Sequence, residues 1–201
     1  MAARNPILVA FVGPNGAGKT TLRNLLFANS KLPFINADLI AAASGLDPYQ
    51  AAAKAETERQ RLVAAGCSFM FESVLSDPVG AKVDFLRAAR AAGYLVIVHF
   101  VGLDSPERSR ARVIQRVHEG GHDVPDDKLT ARFPRVLENL RRLPGAVDDL
   151  TIYDNSSAEV PYRVLARFAG SQLVALSVSL PRWITDINLP FRRTRKTLRL
   201  G

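Results

Sequence analysis

Cysteine is almost absent. Cys67 is the only one in 201 residues, so no disulfide can close within the chain, and a reducing compartment, the cytoplasm, is expected. Histidine is scarce too, with three, and no His/Cys cluster has the spacing of a zinc site. No apolar run approaches the roughly 20 residues that a membrane helix needs. The opening MAARNPILVAFVG holds one arginine and an apolar run with no small-residue cleavage site behind it. It is read as a first strand, not a signal peptide. Internal repeats and long low-complexity linkers are lacking as well. A hydrophobic content of 47% supports one sizeable core and not two comfortable ones.

Acidic residues are outnumbered: the formal net charge is +8. Part of the excess gathers near the C-terminus, in Arg192, Arg193, Arg195, Lys196 and Arg199. No aromatic side chain is interleaved there to stack on bases, so nucleic acid is an unlikely partner. Excess arginine also suits a protein that handles anionic small molecules.

What is present alternates. Ile7 to Val12 (ILVAFV) is a continuous apolar run, rich in β-branched residues, of the kind buried on both faces of a parallel sheet. Helix is expected over 20–28, 48–65, 78–92, 106–118 and 126–142, and as a short piece over 161–168. Strand is expected over 33–36, 68–71, 94–102, 150–153 and 172–177. The alternation predicts an α/β P-loop NTPase fold, its mostly parallel sheet flanked by helices on both faces. One such domain would span 1–180, with a helical lid near 106–142 and a basic tail over 181–201. Pro181 to Pro190, which holds the only tryptophan, Trp183, has no reading from sequence.

Gly13-Pro14-Asn15-Gly16-Ala17-Gly18-Lys19-Thr20 completes the GxxxxGK[ST] pattern between a strand and a helix. The glycines let backbone N–H groups turn inward around phosphate oxygens, and the helix start adds its positive end. Lys19 reaches the β- and γ-phosphates, Thr20 offers a hydroxyl to Mg²⁺, and Thr21 follows in the same binding segment. The base-reading NKxD of GTPases is missing, as is the LSGGQ of transporter ATPases.

A kinase also needs an acid facing the acceptor and cations over the transferring phosphate. Asp38, expected at the end of the second strand, is the candidate base. Glu72, at the end of the third, could bind substrate hydroxyls or hold Mg²⁺, with Ser73 beside it and Ser76 as a weaker candidate. Those positions and Asp154 all fall at predicted strand ends, where ligands of such sheets collect. Arg108, Arg110, Arg112, Arg116 and Arg132 flank the break Gly120-Gly121-His122-Asp123-Val124-Pro125. Arg112 and Arg116 are four apart and share a helix face. Arg112, Arg116 and Arg132 are the candidate catalytic cations of a closing lid, and His122 is read as fixing the loop by a hydrogen bond.

The succession GPNGAGKTT, FINADLIA, FMFESVLS, GYLVIVHFVGLDSPERSRARVIQRVHEGGHDVPDDKLTARF and YDNS resembles the zeta-toxin family of P-loop kinases, over roughly residues 7 to 156. The resemblance implies transfer of phosphate from ATP or GTP, with Mg²⁺, to a hydroxyl of a small molecule. UDP-N-acetylglucosamine is the family's best-known acceptor, and an antitoxin protein is a common partner. It also implies that Lys19 is the loop lysine, Asp38 the base, Glu72 a substrate-binding acid, and Arg116 and Arg132 phosphate clamps. The sequence departs from the family in having Leu39-Ile40-Ala41-Ala42 after Asp38, without the nearby arginine. Two other readings stay open: an ATPase without an acceptor, in which Asp38 orients water, and a polynucleotide kinase that uses the basic tail.

Overall fold

The computed structural model describes residues 5–119, 124–191 and 196–200. Gly120 to Asp123, His122 among them, and Arg192 to Arg195 lie outside the described residues. The chain runs β1 (Ile7–Val12), α1 (Lys19–Phe27), β2 (Phe34–Ile35), α2 (Ala37–Ser44), α3 (Pro48–Ala64), β3 (Phe69–Ser73), α4 (Ala81–Ala91), β4 (Leu95–Gly102), α5 (Pro106–His118), α6 (Asp126–Arg141), β5 (Asp149–Asp154), β6 (Arg163–Ala169), β7 (Gln172–Ser177), α7 (Arg182–Thr185) and β8 (Leu198–Leu200).

The strands form one sheet in the order β2-β3-β1-β4-β5-β6-β7-β8. From β2 to β5 every pair is parallel. β6 and β7 then turn antiparallel, and β8 pairs parallel with β7. β1 is central, and the order reverses there, with β3 on one side and β4 on the other. Such a switch point opens a crevice at the carboxyl ends of the strands.

Alternate residues of β1 feed two cores. Leu8, Ala10 and Val12 pack with residues of α3, α4 and the C-terminal part of α6. Val9 and Phe11 pack with Leu22 of α1 and with Phe133. Helices therefore cover both faces, as the unbroken hydrophobicity of the central strands requires. No helix among the described residues is long and apolar enough to cross a membrane.

Three expectations are corrected. Residues 161–168 are not a helix: Arg163–Ala169 is strand β6, paired antiparallel with β5 across Leu150–Phe168 and Ile152–Ala166. Its buried Leu165, Ala166 and Phe168 find their partners in the sheet, and that pairing overrides a short helical reading. The segment after Ile35 is not the tip of a strand: Asn36 caps a new helix, α2, its side chain accepting from Asp38 N (2.7 Å) and Leu39 N (3.2 Å). Gln172–Ser177 is not the last strand, since β8 follows it. In the segment that sequence left unread, Trp183 packs on the core. Its ring stacks on Phe100 at 6.4 Å, and its indole N–H reaches Asp154 Oδ1 at 3.3 Å.

Candidate functional site

The glycine loop follows β1 and holds a shape that side chains would forbid. Gly13 has φ +145°, and a Cβ there would lie 2.1 Å from the Val101 carbonyl oxygen. Gly18, at φ +89°, caps α1 with no side-chain hydrogen bond, so the first N–H groups of α1 remain open to a ligand. The loop's carbonyls are tied from behind. Ser109 Oγ donates to Asn15 O (2.7 Å), Asn155 Nδ2 to Ala17 O (2.9 Å), Tyr162 OH to Gly18 O (3.0 Å) and Lys19 Nζ to Pro14 O (2.9 Å). Thr21 lies beside the same Tyr162 hydroxyl. With those carbonyls bonded from behind, the loop is a candidate anion site.

Lys19 is buried, at 6% exposure. Burial lowers the pKa of its ammonium, and the carboxylates of Glu72 and Asp38 act against that shift. Glu72 organises the floor. Its Oε2 accepts from Thr20 Oγ1 (2.6 Å) and Asn36 Nδ2 (3.0 Å), and its Oε1 stands 3.6 Å from Lys19 Nζ. A hydroxyl and a carboxylate in contact are hard oxygen donors of the kind Mg²⁺ takes, together with phosphate oxygens, so the residues present fit that ion.

Asp38 sits in the first turn of α2, with its side chain 64% exposed and 3.8 Å from Arg116 Nη1. The arginines of α5 and α6 divide. Arg108 is paired with Asp104 (2.6 and 2.8 Å), and Arg110 bridges α5 to α6 through Asp126 (2.7 Å). Arg112 lies against the glycine loop, its Cβ 3.0 Å from where a Cβ on Gly16 would be. Arg116 and Arg132 line a cavity of about 280 Å³ that also takes in Lys19, Asp38, Glu72 and Ser73. Of the residues expected in the site, the structure thus gathers Lys19, Asp38, Glu72, Ser73, Arg116 and Arg132 in one place, with Ser76 on its wall. Arg112 stands at the loop instead.

Other residues join that were not foreseen. Asn36 links Glu72 to α2. Arg59, only 5% exposed, lies over the Phe71 ring at 5.1 Å and pairs with Glu56 at the cavity wall. Lys82, from the first turn of α4, lines the same cavity. Ser109, Asn155 and Tyr162 hold the loop. A second, wider hollow of about 550 Å³ lies beside the segment 154–160, between Arg108 and Arg163. Asn155 and Tyr162, which bind the glycine loop, do not line this hollow but are chain neighbours of Asp154, Ser156 and Arg163, which do.

The chain matches the family model for Zeta toxin over residues 47–164, more than half its length. The glycine loop lies outside that match and rests on its own geometry. An uncharacterized protein of Haemophilus influenzae is 26% identical over 132 residues, 62% of this chain and 91% of that one. A chain of the crystallised AvrRxo1-ORF1:AvrRxo1-ORF2 complex with sulphate ions superposes with a TM-score of 0.67 at 17% identity, over 94% of this chain and 65% of that one. This chain therefore spans just under two thirds of that relative's length. The PezAT chromosomal toxin–antitoxin system of Streptococcus pneumoniae superposes with a TM-score of 0.55 at 19% identity, over 77% of this chain and 70% of that one. At these identities the solved structures bear on the fold.

Proposed function

The chain belongs to the zeta-toxin family, and on that premise we propose that it is a P-loop kinase, transferring the γ-phosphoryl group of ATP or GTP to a hydroxyl of a small molecule. One observation carries the reading. The Asp38–Arg116 pair shares a cavity with Lys19 and Glu72, so an acid and a cation stand beside the phosphate loop where an acceptor can also enter.

The loop amides cradle the triphosphate, and Lys19 meets the β- and γ-oxygens. The hollow between Arg108 and Arg163 receives the nucleoside, since its lining residues Asp154, Ser156 and Arg163 are chain neighbours of the loop-bracing Asn155 and Tyr162. Thr20 Oγ1 and Glu72 would hold Mg²⁺, which would supply charge neutralisation at the phosphates. Asp38 orients the acceptor hydroxyl and takes its proton as the new oxygen–phosphorus bond forms. The bond from the γ-phosphorus to the bridging oxygen breaks, and nucleoside diphosphate leaves. Arg116 neutralises charge on the group in flight, and Arg112 braces the loop on the same helix face. Nucleotide supply makes the cytoplasm the compartment for this chemistry.

UDP-N-acetylglucosamine comes to this chain from the family resemblance as a first acceptor to try. An antitoxin partner comes from the same source, and PezAT is a toxin–antitoxin system. The cavity beside Asp38 favours an acceptor over water alone, and so favours a kinase over an ATPase.

The test is incubation with γ-labelled ATP, Mg²⁺ and a panel of sugars, sugar phosphates, sugar nucleotides and a short oligonucleotide, with products resolved by mass. A gain of one phosphate on an acceptor, reduced about 10²–10⁴-fold in Asp38→Asn with ATP binding retained, is the expected result. Label released only as free phosphate, at equal rates from both proteins, overturns the reading.

A further inference from the structure

The charges around the 280 Å³ cavity do not cancel. Three carboxylates line it, and each has a cation: Glu72 faces Lys19, Asp38 faces Arg116 and Glu56 faces Arg59. Two further cations, Lys82 and Arg132, line the same wall. Both side chains are half-buried, and neither finds a hydrogen bond or an acidic partner among the described residues. They come from different elements, Lys82 from α4 and Arg132 from α6, so the surplus is not the solvated face of a single helix. Two cations from different elements in one concave wall, with no carboxylate against them, give that wall a positive field that favours an anionic ligand.

The rest of the wall limits that ligand. Ala37, Ala41, Ala52 and Ala55 make it smooth and apolar, while Asn36, Ser73 and Ser76 offer hydrogen-bonding groups. Among the described lining residues none is aromatic, so a base entering here would have nothing to stack on. The volume of about 280 Å³ lies just below the range of about 300–1,000 Å³ for small-molecule sites. A sugar nucleotide brings a base for which this lining offers no stacking surface.

Building on the kinase reading above, we propose that the acceptor is a small polyhydroxylated molecule bearing one anionic group, a phosphate or a carboxylate, which docks between Lys82 and Arg132 and presents a hydroxyl to Asp38. The cations then select and orient the acceptor, and the chemistry stays at Asp38 and Arg116. The reaction is hydroxyl plus nucleoside triphosphate to phosphate ester plus nucleoside diphosphate and a proton. The anionic group itself is not altered.

Two measurements test this. The first titrates glucose 6-phosphate, gluconate, glucose and UDP-N-acetylglucosamine into the protein by calorimetry, with a non-hydrolysable ATP analogue present. The second measures phosphoryl transfer to the same four compounds. Glucose 6-phosphate, gluconate or both should bind and react in preference to glucose and the sugar nucleotide, and the stronger of the two identifies the anion. Lys82→Gln should weaken that binding and raise that KM about tenfold, and Lys82→Arg should restore both. Lys54→Gln, an exposed α3 lysine outside the cavity, should change neither. Anion-dependent binding without transfer to any compound leaves the docking site standing and sinks the kinase reading. Transfer that ignores the anion, or favours the sugar nucleotide with no response to Lys82→Gln, sinks the docking site and leaves the kinase. No binding and no transfer sinks both.

Discussion

Glu72 Oε2 accepts the Thr20 hydroxyl at 2.6 Å, while the same carboxylate faces the buried Lys19 ammonium at 3.6 Å. One residue of β3 thereby holds the Lys19 and Thr20 side chains at the start of α1. Glu72→Gln keeps the shape and removes the charge. The concentration of Mg²⁺ for half-maximal activity should rise about 10–100-fold, with the circular dichroism spectrum unchanged. Mg²⁺ dependence equal to wild type would remove Glu72 from the metal's surroundings.

The arginines of α5 and α6 should separate by role. Arg116 lines the cavity beside Asp38, whereas Arg110 is engaged with Asp126 in an exposed pair between the two helices. Arg116→Ala should lower kcat about 10²–10³-fold. Arg110→Ala should change it little, because exposed ion pairs contribute little. Equal losses in the two variants would mean that the lid acts only as a whole.

His99 should give stability a pH dependence. Its ring stacks on Phe11 at 5.1 Å, and burial lowers its pKa from 6.5 to about 4, with Asp149 acting against the shift. Between these values the unfolded chain binds the proton and the folded chain does not. The stability is therefore fully present above about pH 6.5, falls as pH drops towards 4, and changes no further from this source below that. The loss is about 3 kcal/mol at most. His99→Phe keeps a ring in place and should flatten Tm against pH over that window. An unchanged slope would assign the dependence to other groups.

Gly102 and Trp183 test the C-terminal segment. A Cβ on Gly102 would lie 2.2 Å from the Trp183 ring. Gly102→Ala should cost about 1–3 kcal/mol by overpacking, and Trp183→Ala about 3–5 kcal/mol by the cavity it leaves. In denaturant unfolding the double variant should be less destabilised than the sum of the two. Strict additivity would show that the contact is not felt.

Much of this was legible. The loop, the central strands and helix α5 were readable because each carries a local signal: a glycine pattern, an apolar run rich in β-branched residues, a proline start after a serine cap. β6 was not, because Arg163 to Ala169 is too short for its period to decide, and its identity comes from pairing with β5. The start of α2 hid because Asn36 looks like a strand end until its side chain is seen bonding back to Asp38 N and Leu39 N. Arg59 and Lys82 sit in helices full of charge, and nothing local separates a cation facing a cavity from one facing water. Asn139 was equally silent, although it donates to Leu75 O and Asp77 O and so fixes the segment that carries Ser76.

The bonds that tie the glycine loop from behind have a consequence for how the protein comes into being. The loop occupies residues 13–20, yet the groups that hold it arrive with Ser109, Asn155 and Tyr162. Gly102, which anchors Asn155 N at 3.0 Å, meets Trp183 still later. A chain made from its N-terminus therefore synthesises the glycine loop well before the side chains that brace it, and the bracing is complete only once Tyr162 has been made and packed. Until then the loop's carbonyls lack the partners that hold them in the folded protein.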